Sequence, residues 1–282
     1  MQIGFNLLLW ATHIEEGDFH LLETLKKVGY DGVEVPLFQG DLAHYRKLGR
    51  ALADNGLAAT TVTVMPDTAH DIVSADPKAR QGGADHIRWA IDSTAALGGT
   101  LLAGPLHQAL GHFTGNGRTK EEWERGVEVT RACAGHAADA GVALSIEPLN
   151  RFECYFLNTV ADAAAFVQQV GKPNVGLLYD TFHANIEEKH PVGALREHLR
   201  WINHVHISAN DRGTPGKDHV PWAETFSVLK ENGYDRWLTI EAFGRALPDL
   251  AAATRVWRDF FPNREEVYTF GYRFIRDGWD NS

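Results

Sequence analysis

The feature that most constrains this chain is an alternation repeated eight times along it. Short apolar runs fall at residues 3–10, 32–37, 58–65, 100–106, 142–148, 175–180, 204–208 and 237–243. Each is rich in Val, Ile, Leu or Thr, and none alternates cleanly between polar and apolar residues. Strands buried on both faces have this character, which predicts parallel pairing under a cover of helices. Segments with helical spacing lie between them, at 19–28, 45–55, 84–97, 121–140, 159–170, 191–201, 221–231 and 247–260. Gly marks the passage from helix to strand in KKVGYDGVEV, DNGLAATTV, AALGGTLL, ADAGVALSI and ENGYDRWLTI. A Gly just past a helix end stops it in the left-handed conformation, and the next strand begins there.

Eight strand–helix units predict an α/β protein, a single (β/α)8 TIM barrel over residues 1–282. An open doubly wound sheet normally carries a Gly-rich phosphate turn after its first strand. Here that strand runs into LLLWATHIEEG, which has none. Length alone would suggest two domains, but barrels of roughly 250 residues form one. No Pro- or Ser-rich linker divides the chain. The longer loops, 66–78 and 107–120, follow strands three and four and are expected on the active face. Residues 263–282 form a C-terminal extension outside the repeat, and their aromatic content suggests packing on a neighbouring subunit.

Composition narrows the partners. Lys+Arg number 27 against Asp+Glu 37, a formal charge of −10. That balance disfavours nucleic acid, whose binding rests on neutralising phosphates with basic side chains. Only Cys133 and Cys154 are present, so neither a disulfide framework nor a thiolate metal cluster is expected. The opening MQIGFNLLLW lacks a basic leader and a small-residue cleavage site, so it reads as a strand. No stretch approaches the ~18 apolar residues of a membrane span. A cytoplasmic protein without a membrane partner is the expectation.

The chemistry is concentrated at the ends of four consecutive strands. Strand five ends in SIEPLNRFE, with Glu147 at its tip and Glu153 six residues later. Strand six ends in LLYDTFHANIEE, with Asp180 and His183. Strand seven, HVHISANDR, carries His204, His206 and Arg212, and strand eight ends in TIEAF with Glu241. In a barrel these tips converge on the axis at the catalytic face. Two Glu, one Asp and one His suit a divalent ion such as Mn²⁺, Mg²⁺ or Co²⁺. Without a cation, such carboxylates would repel one another and be costly to desolvate. His204 and His206 share a face, and the pattern alone leaves open which is the ligand. Trp10, Glu34 and His107 also end strands, where core packing or loop support is an equal reading.

IEPLNRFE, YDTFHANIEE, HVHISANDRGTPG and TIEAF resemble the matching segments of the ketose 3-epimerases. That family comprises the D-tagatose, D-allulose (D-psicose) and L-ribulose 3-epimerases, within the xylose-isomerase-like barrel superfamily. The resemblance extends over the whole chain in strand order, and is weaker in the first half. It implies one divalent metal per subunit (Mn²⁺, Co²⁺ or Mg²⁺), held by Glu147, Asp180, His206 and Glu241. It further implies that Glu153, His183 and Arg212 hold oxygens at the carbonyl end of a small-molecule ketose. Glu147 and Glu241 would transfer the protons at carbon 3 through an enediolate, in a homodimer or homotetramer. A hydroxypyruvate isomerase or another sugar isomerase on the same barrel is the nearest alternative. The DNA-cleaving branch of the superfamily needs more His ligands and a basic groove. A sugar-binding module without catalysis is disfavoured because all seven family positions are filled.

Overall fold

Eight parallel strands close into a barrel in the computed structural model, which describes residues 1–282. They are β1 (Gln2–Asn6), β2 (Gly32–Pro36), β3 (Ala58–Val62), β4 (Leu101–Gly104), β5 (Ala143–Ile146), β6 (Val175–Asp180), β7 (Ile202–Ile207) and β8 (Trp237–Ile240). Each pairs with its sequence neighbours, and β8 closes on β1 through Gln2–Trp237 to Phe5–Ile240. The cover consists of α1 (His20–Val28), α2 (Leu42–Asp54), α3 (Pro77–Leu97), α4 (Lys120–Asp139), α5 (Val160–Val170), α6 (Thr181–Glu187), α7 (Pro191–His198), α8 (Trp222–Glu231), α9 (Pro248–Ala253) and α10 (Arg264–Asp280). No helix is long and apolar enough to cross a membrane.

Burial on both faces explains the apolar runs. Every residue of β6 is buried, and one contiguous core runs from Ile3 to Ile275 through wall and helices. The five helix-to-strand glycines, Gly29, Gly56, Gly98, Gly141 and Gly233, all have φ between 64° and 123°. A side chain at those angles would be strained, which is why Gly marks each junction.

Several elements differ from expectation, and four of the differences have a clear local reason. The first strand ends at Asn6, because its Oδ1 accepts from the Leu8 amide at 2.9 Å and turns Leu7–Leu9 into a 3₁₀ helix. Helix α6 follows β6 with no loop, since Asp180 Oδ1 accepts from the Phe182 amide at 2.7 Å and caps it. Helix α9 stops at Ala253 instead of reaching 260, and Arg255 just beyond takes a left-handed φ of 61°. The tail folds back on its own barrel as α10, which lies against α1, α8, β1 and β8 and buries Val267, Gly271 and Ile275. It therefore covers the closing strands. Tyr30 Oη donates to the Tyr268 carbonyl at 2.7 Å, and Lys230 Nζ donates to the Trp279 and Ser282 carbonyls at the helix end.

Candidate metal centre

Side chains alternate across a strand, so every second residue shares a face. On β7 the inward residues are His204 and His206, whose rings reach Glu34 on β2 across the barrel. Asn6 on β1 meets both Glu34 and Glu241. Asp180 ends β6, Glu147 follows the last residue of β5, and Glu241 follows the last of β8. The C-terminal mouth thus gathers Glu147, Asp180, His206 and Glu241, with one candidate ligand atom from each lying within 4.8 Å of the others. All four are buried.

Each of these groups is held from behind. Asp180 caps α6 with Oδ1, so Oδ2 faces the cluster and accepts from Arg212 Nη1 at 2.8 Å. The same Nη1 donates to Glu241 Oε2 at 2.6 Å, while Nη2 lies 2.9 Å from His183 Nε2. The guanidinium is packed between Phe182 and Phe243, with Cζ 3.9 Å and 4.8 Å from the ring centroids. Arg212 sits at φ 67°, a left-handed angle that costs a non-Gly residue free energy. These side-chain contacts hold it there. His183 Nδ1 faces the Asn150 amide at 3.0 Å, and Nε2 lies 3.6 Å from Glu147 Oε1. Asn150 Nδ2 also donates to Glu153 Oε1 at 2.8 Å, so one asparagine anchors both residues. His107 donates from Nε2 to the Glu147 carbonyl at 2.9 Å, the loop-support role. Trp10 instead packs beside Phe5, with ring centroids 5.1 Å apart.

The electrostatics follow from burial and close charges. Burial raises the Glu147 carboxyl well above its ordinary range, and the neighbouring Glu241 pushes the same way. Burial also opposes ionisation of Asp180, but Arg212 and His206 outweigh it and hold the carboxyl well below the usual range. His183 is lowered to about 3 by burial and by Arg212, so its ring is neutral. Burial raises Glu153 as well. For His206, burial works against positive charge, yet Glu34 and Glu241 overcome it and raise the ring well above its ordinary value. Such a negative field favours a cation at Nδ1, whether a proton or a metal ion.

The fit of a divalent metal can be tested on one atom. His206 Nδ1 is buried and has no hydrogen-bond partner, although it lies 3.4 Å from Glu241 Oε1 and 3.8 Å from Asp180 Oδ2. Other buried ring nitrogens, those of His107 and His204 among them, also lack partners, but His206 is the histidine that joins three carboxylates in one cluster. A lone pair aimed among three carboxylates is the donor set of a hard or intermediate divalent ion. The residues present therefore fit such a group.

Above the cluster opens a cavity of about 330 Å³, at the small end of ligand pockets. Glu147, Glu153, His183, Arg212 and Glu241 line one end. Leu8, Phe38, Val62, Pro66, Leu110 and Phe243 line most of the rest, with Val64 and Pro105 from the loops after β3 and β4, and Thr12, Asp249 and Thr254 are its polar members. All seven side chains singled out in the sequence thus meet around one site. The sequence did not single out Asn6 or Asn150. Asn150 falls inside the IEPLNRFE segment, which was its signal, whereas Asn6 meets partners 28 and 235 residues away and had none.

A closed parallel barrel with ligand-grade acids and a histidine at its mouth defines a (β/α)8 barrel with a candidate metal centre, and comparison with known proteins places it further. The model of the xylose isomerase-like TIM barrel family matches residues 22–277. The ketose 3-epimerase of Arthrobacter globiformis is 31% identical, over 98% of this chain and 96% of the relative. The D-psicose 3-epimerase of Ruminiclostridium cellulolyticum is also 31% identical, over 94% and 92%. Among solved structures, the D-allulose 3-epimerase of Methylomonas sp. in complex with D-allulose superposes with a TM-score of 0.91 at 28% identity, covering 98% of this chain and 96% of the other. The chain belongs to the xylose isomerase-like TIM barrel family and, within it, to the ketose 3-epimerases, which are isomerases.

Proposed function

We propose that this protein epimerises a free ketose at carbon 3, of the D-fructose/D-allulose, D-tagatose/D-sorbose or L-ribulose/L-xylulose type. A divalent metal, Mn²⁺, Co²⁺ or Mg²⁺, would be held by Glu147, Asp180, His206 and Glu241. The cation would polarise the ketose carbonyl and offset the negative charge of an enediolate. The observation that carries the reading is the placement of the two glutamates. Glu147 stands beyond β5 and Glu241 beyond β8, with two strands between them, and both line the same cavity.

Inversion at carbon 3 needs one group to remove a proton from one face and another to deliver a proton to the opposite face. A single base would return the proton to the side it came from. Glu147 and Glu241 supply the pair, and positioning close to the reacting carbon lets carboxylates act on it. His183 and Arg212 orient the oxygens at the carbonyl end. Glu153, tethered by Asn150, accepts from a hydroxyl there. The apolar remainder of the cavity excludes water from the proton transfers. Thr12, Asp249 and Thr254 are the polar side chains there that could meet the far end of the sugar.

The test is to chelate the purified protein, add back Mn²⁺, Co²⁺ or Mg²⁺ separately, and follow a panel of ketohexoses and ketopentoses by NMR. Appearance of the carbon-3 epimer is the expected outcome. If no ketose is converted with any of the three ions, the reading is wrong.

A further inference from the structure

Glu34 lies in the barrel interior, fully buried, beneath the cluster described above. Its Oε1 accepts from His206 Nε2 at 2.7 Å and from Asn6 Nδ2 at 3.0 Å. Its Oε2 accepts from His204 Nε2 at 2.8 Å and from Thr60 Oγ1 at 3.0 Å. Taking a carboxylate out of water costs several kcal/mol unless its lone pairs are satisfied. Here four donors from β1, β3 and β7 occupy the four acceptor positions. Apolar side chains could fill this volume at lower cost, so packing alone does not account for the group.

We propose that Glu34 is a positioning residue that presents His206 to the metal and braces Glu241, an inference that rests on the metal reading above. An imidazole that donates through Nε2 to a carboxylate leaves its Nδ1 lone pair bare, and the partner fixes the ring's orientation. Glu34 does this to His206, whose Nδ1 then faces Glu241 and Asp180 with no other partner. The connection to Glu241 runs through Asn6, whose Nδ2 donates to Glu34 Oε1 and to Glu241 Oε1, each at 3.0 Å. The Asn6 amide cannot flip without loss, because its Oδ1 holds the Leu8 amide. One interior carboxylate therefore sets two of the four candidate ligands. His204, on the other oxygen, keeps Glu34 from rotating away.

Glu34, His204 and His206 also offer ligand atoms within 4.8 Å of one another, so a second cation is the competing account of this group. The hydrogen bonds decide against it. A metal there would have to displace both imidazole N–H donors from Glu34, and it would claim the His206 nitrogen that Glu34 already holds.

The experiment titrates chelated wild-type and Glu34→Gln proteins with Co²⁺ and records the visible absorption of the bound ion. The expected result is a Co²⁺ dissociation constant raised about 10–100-fold in Glu34→Gln, with an altered ligand-field spectrum and unchanged far-UV circular dichroism. Wild-type affinity and spectrum in the variant overturn the role of Glu34 and leave the metal site standing. Failure of wild type itself to bind Co²⁺ overturns both. Should Glu34→Gln not fold, ¹⁵N-imidazole NMR of the Mg²⁺-loaded wild type replaces it, with His206→Asn identifying the resonance. A proton on Nε2 of His206 supports the proposal, and a proton on Nδ1 overturns it.

Discussion

His206 Nδ1 stands 3.4 Å from Glu241 Oε1, buried and with no hydrogen bond of its own. Two groups on adjacent strands so close together, one with a bare lone pair and one anionic, are better accommodated with a cation between them. Metal binding to the folded state alone stabilises it by about 2.7 kcal/mol at 100 times the dissociation constant. At roughly 2–4 °C per kcal/mol for a chain of this size, that is about 5–10 °C. Differential scanning fluorimetry with EDTA and then with excess Mn²⁺ checks it. A thermal midpoint indifferent to both argues that no cation belongs there.

The two-glutamate scheme makes separate demands on each carboxylate. Glu147→Gln and Glu241→Gln keep a ligand oxygen and the side-chain volume but lose the base. Each is expected to lower kcat by about 10²–10⁴-fold with the fold retained. In D₂O the remaining glutamate can still exchange the carbon-3 proton on its own face. Each variant is thus expected to incorporate deuterium into one epimer and not the other, in opposite senses. NMR of recovered substrate decides it, and exchange of both epimers by either variant contradicts the assignment.

How much of this was legible in the sequence depends on whether a feature is local. Glu147, Asp180 and Glu241 could be read because each is an acid directly at the end of an apolar run. Choosing His206 over His204 was beyond the pattern, since both point inward. Glu34 bonds both rings alike from 170 and 172 residues away; what singles out His206 is that its Nδ1 lies 3.4 Å from Glu241 and 3.8 Å from Asp180, on other strands. Helix α6 was missed because seven residues show too little periodicity, and its cap is the same Asp180 that reads as a ligand. The ends of α9 and the place of α10 depend on Arg255 turning left-handed and on Ile240 meeting Gly271, which no spacing announces.

Arg212 makes contacts that lysine cannot reproduce. Its guanidinium bridges Asp180 and Glu241, reaches His183 and stacks between two phenyl rings. Lysine retains the charge but presents a single point donor without a planar face. Arg212→Lys is expected to lose about 10–100-fold in kcat/KM, or about 1.4–2.7 kcal/mol of transition-state stabilisation. Steady-state kinetics with a converted ketose measures it. Near wild-type kinetics would show that charge alone suffices.

Neither thiol is poised for chemistry. Burial pushes the Cys133 thiol up to about 11 and the Cys154 thiol up to about 12. A raised thiol pKa keeps the neutral form dominant below it, so thiolate is scarce at neutral pH and emerges only as pH approaches those values. Native protein at pH 8 is therefore expected to react negligibly with Ellman's reagent, and denatured protein to release two equivalents. Rapid reaction of either thiol in the folded state would contradict the burial argument.

The C-terminal helix is expected to carry stability for the barrel it closes. Ile275 is completely buried in the main core, while Arg276, next to it on α10, is exposed. Truncating a buried Ile to Ala costs about 2–5 kcal/mol, through lost transfer free energy and the cavity left behind. A surface change away from special contacts stays within about 0.5 kcal/mol. Urea unfolding of Ile275→Ala and Arg276→Ala should separate accordingly, Ile275→Ala falling by several kcal/mol and Arg276→Ala hardly moving. The pair distinguishes an integral helix from a loose appendage, because an appendage would leave both variants as stable as wild type. Gly271 supplies the reason for the close seat, since a Cβ there would come 2.7 Å from Ile240 Cδ1 on β8. Gly271→Ala is accordingly expected to destabilise as well, despite alanine's better helix propensity.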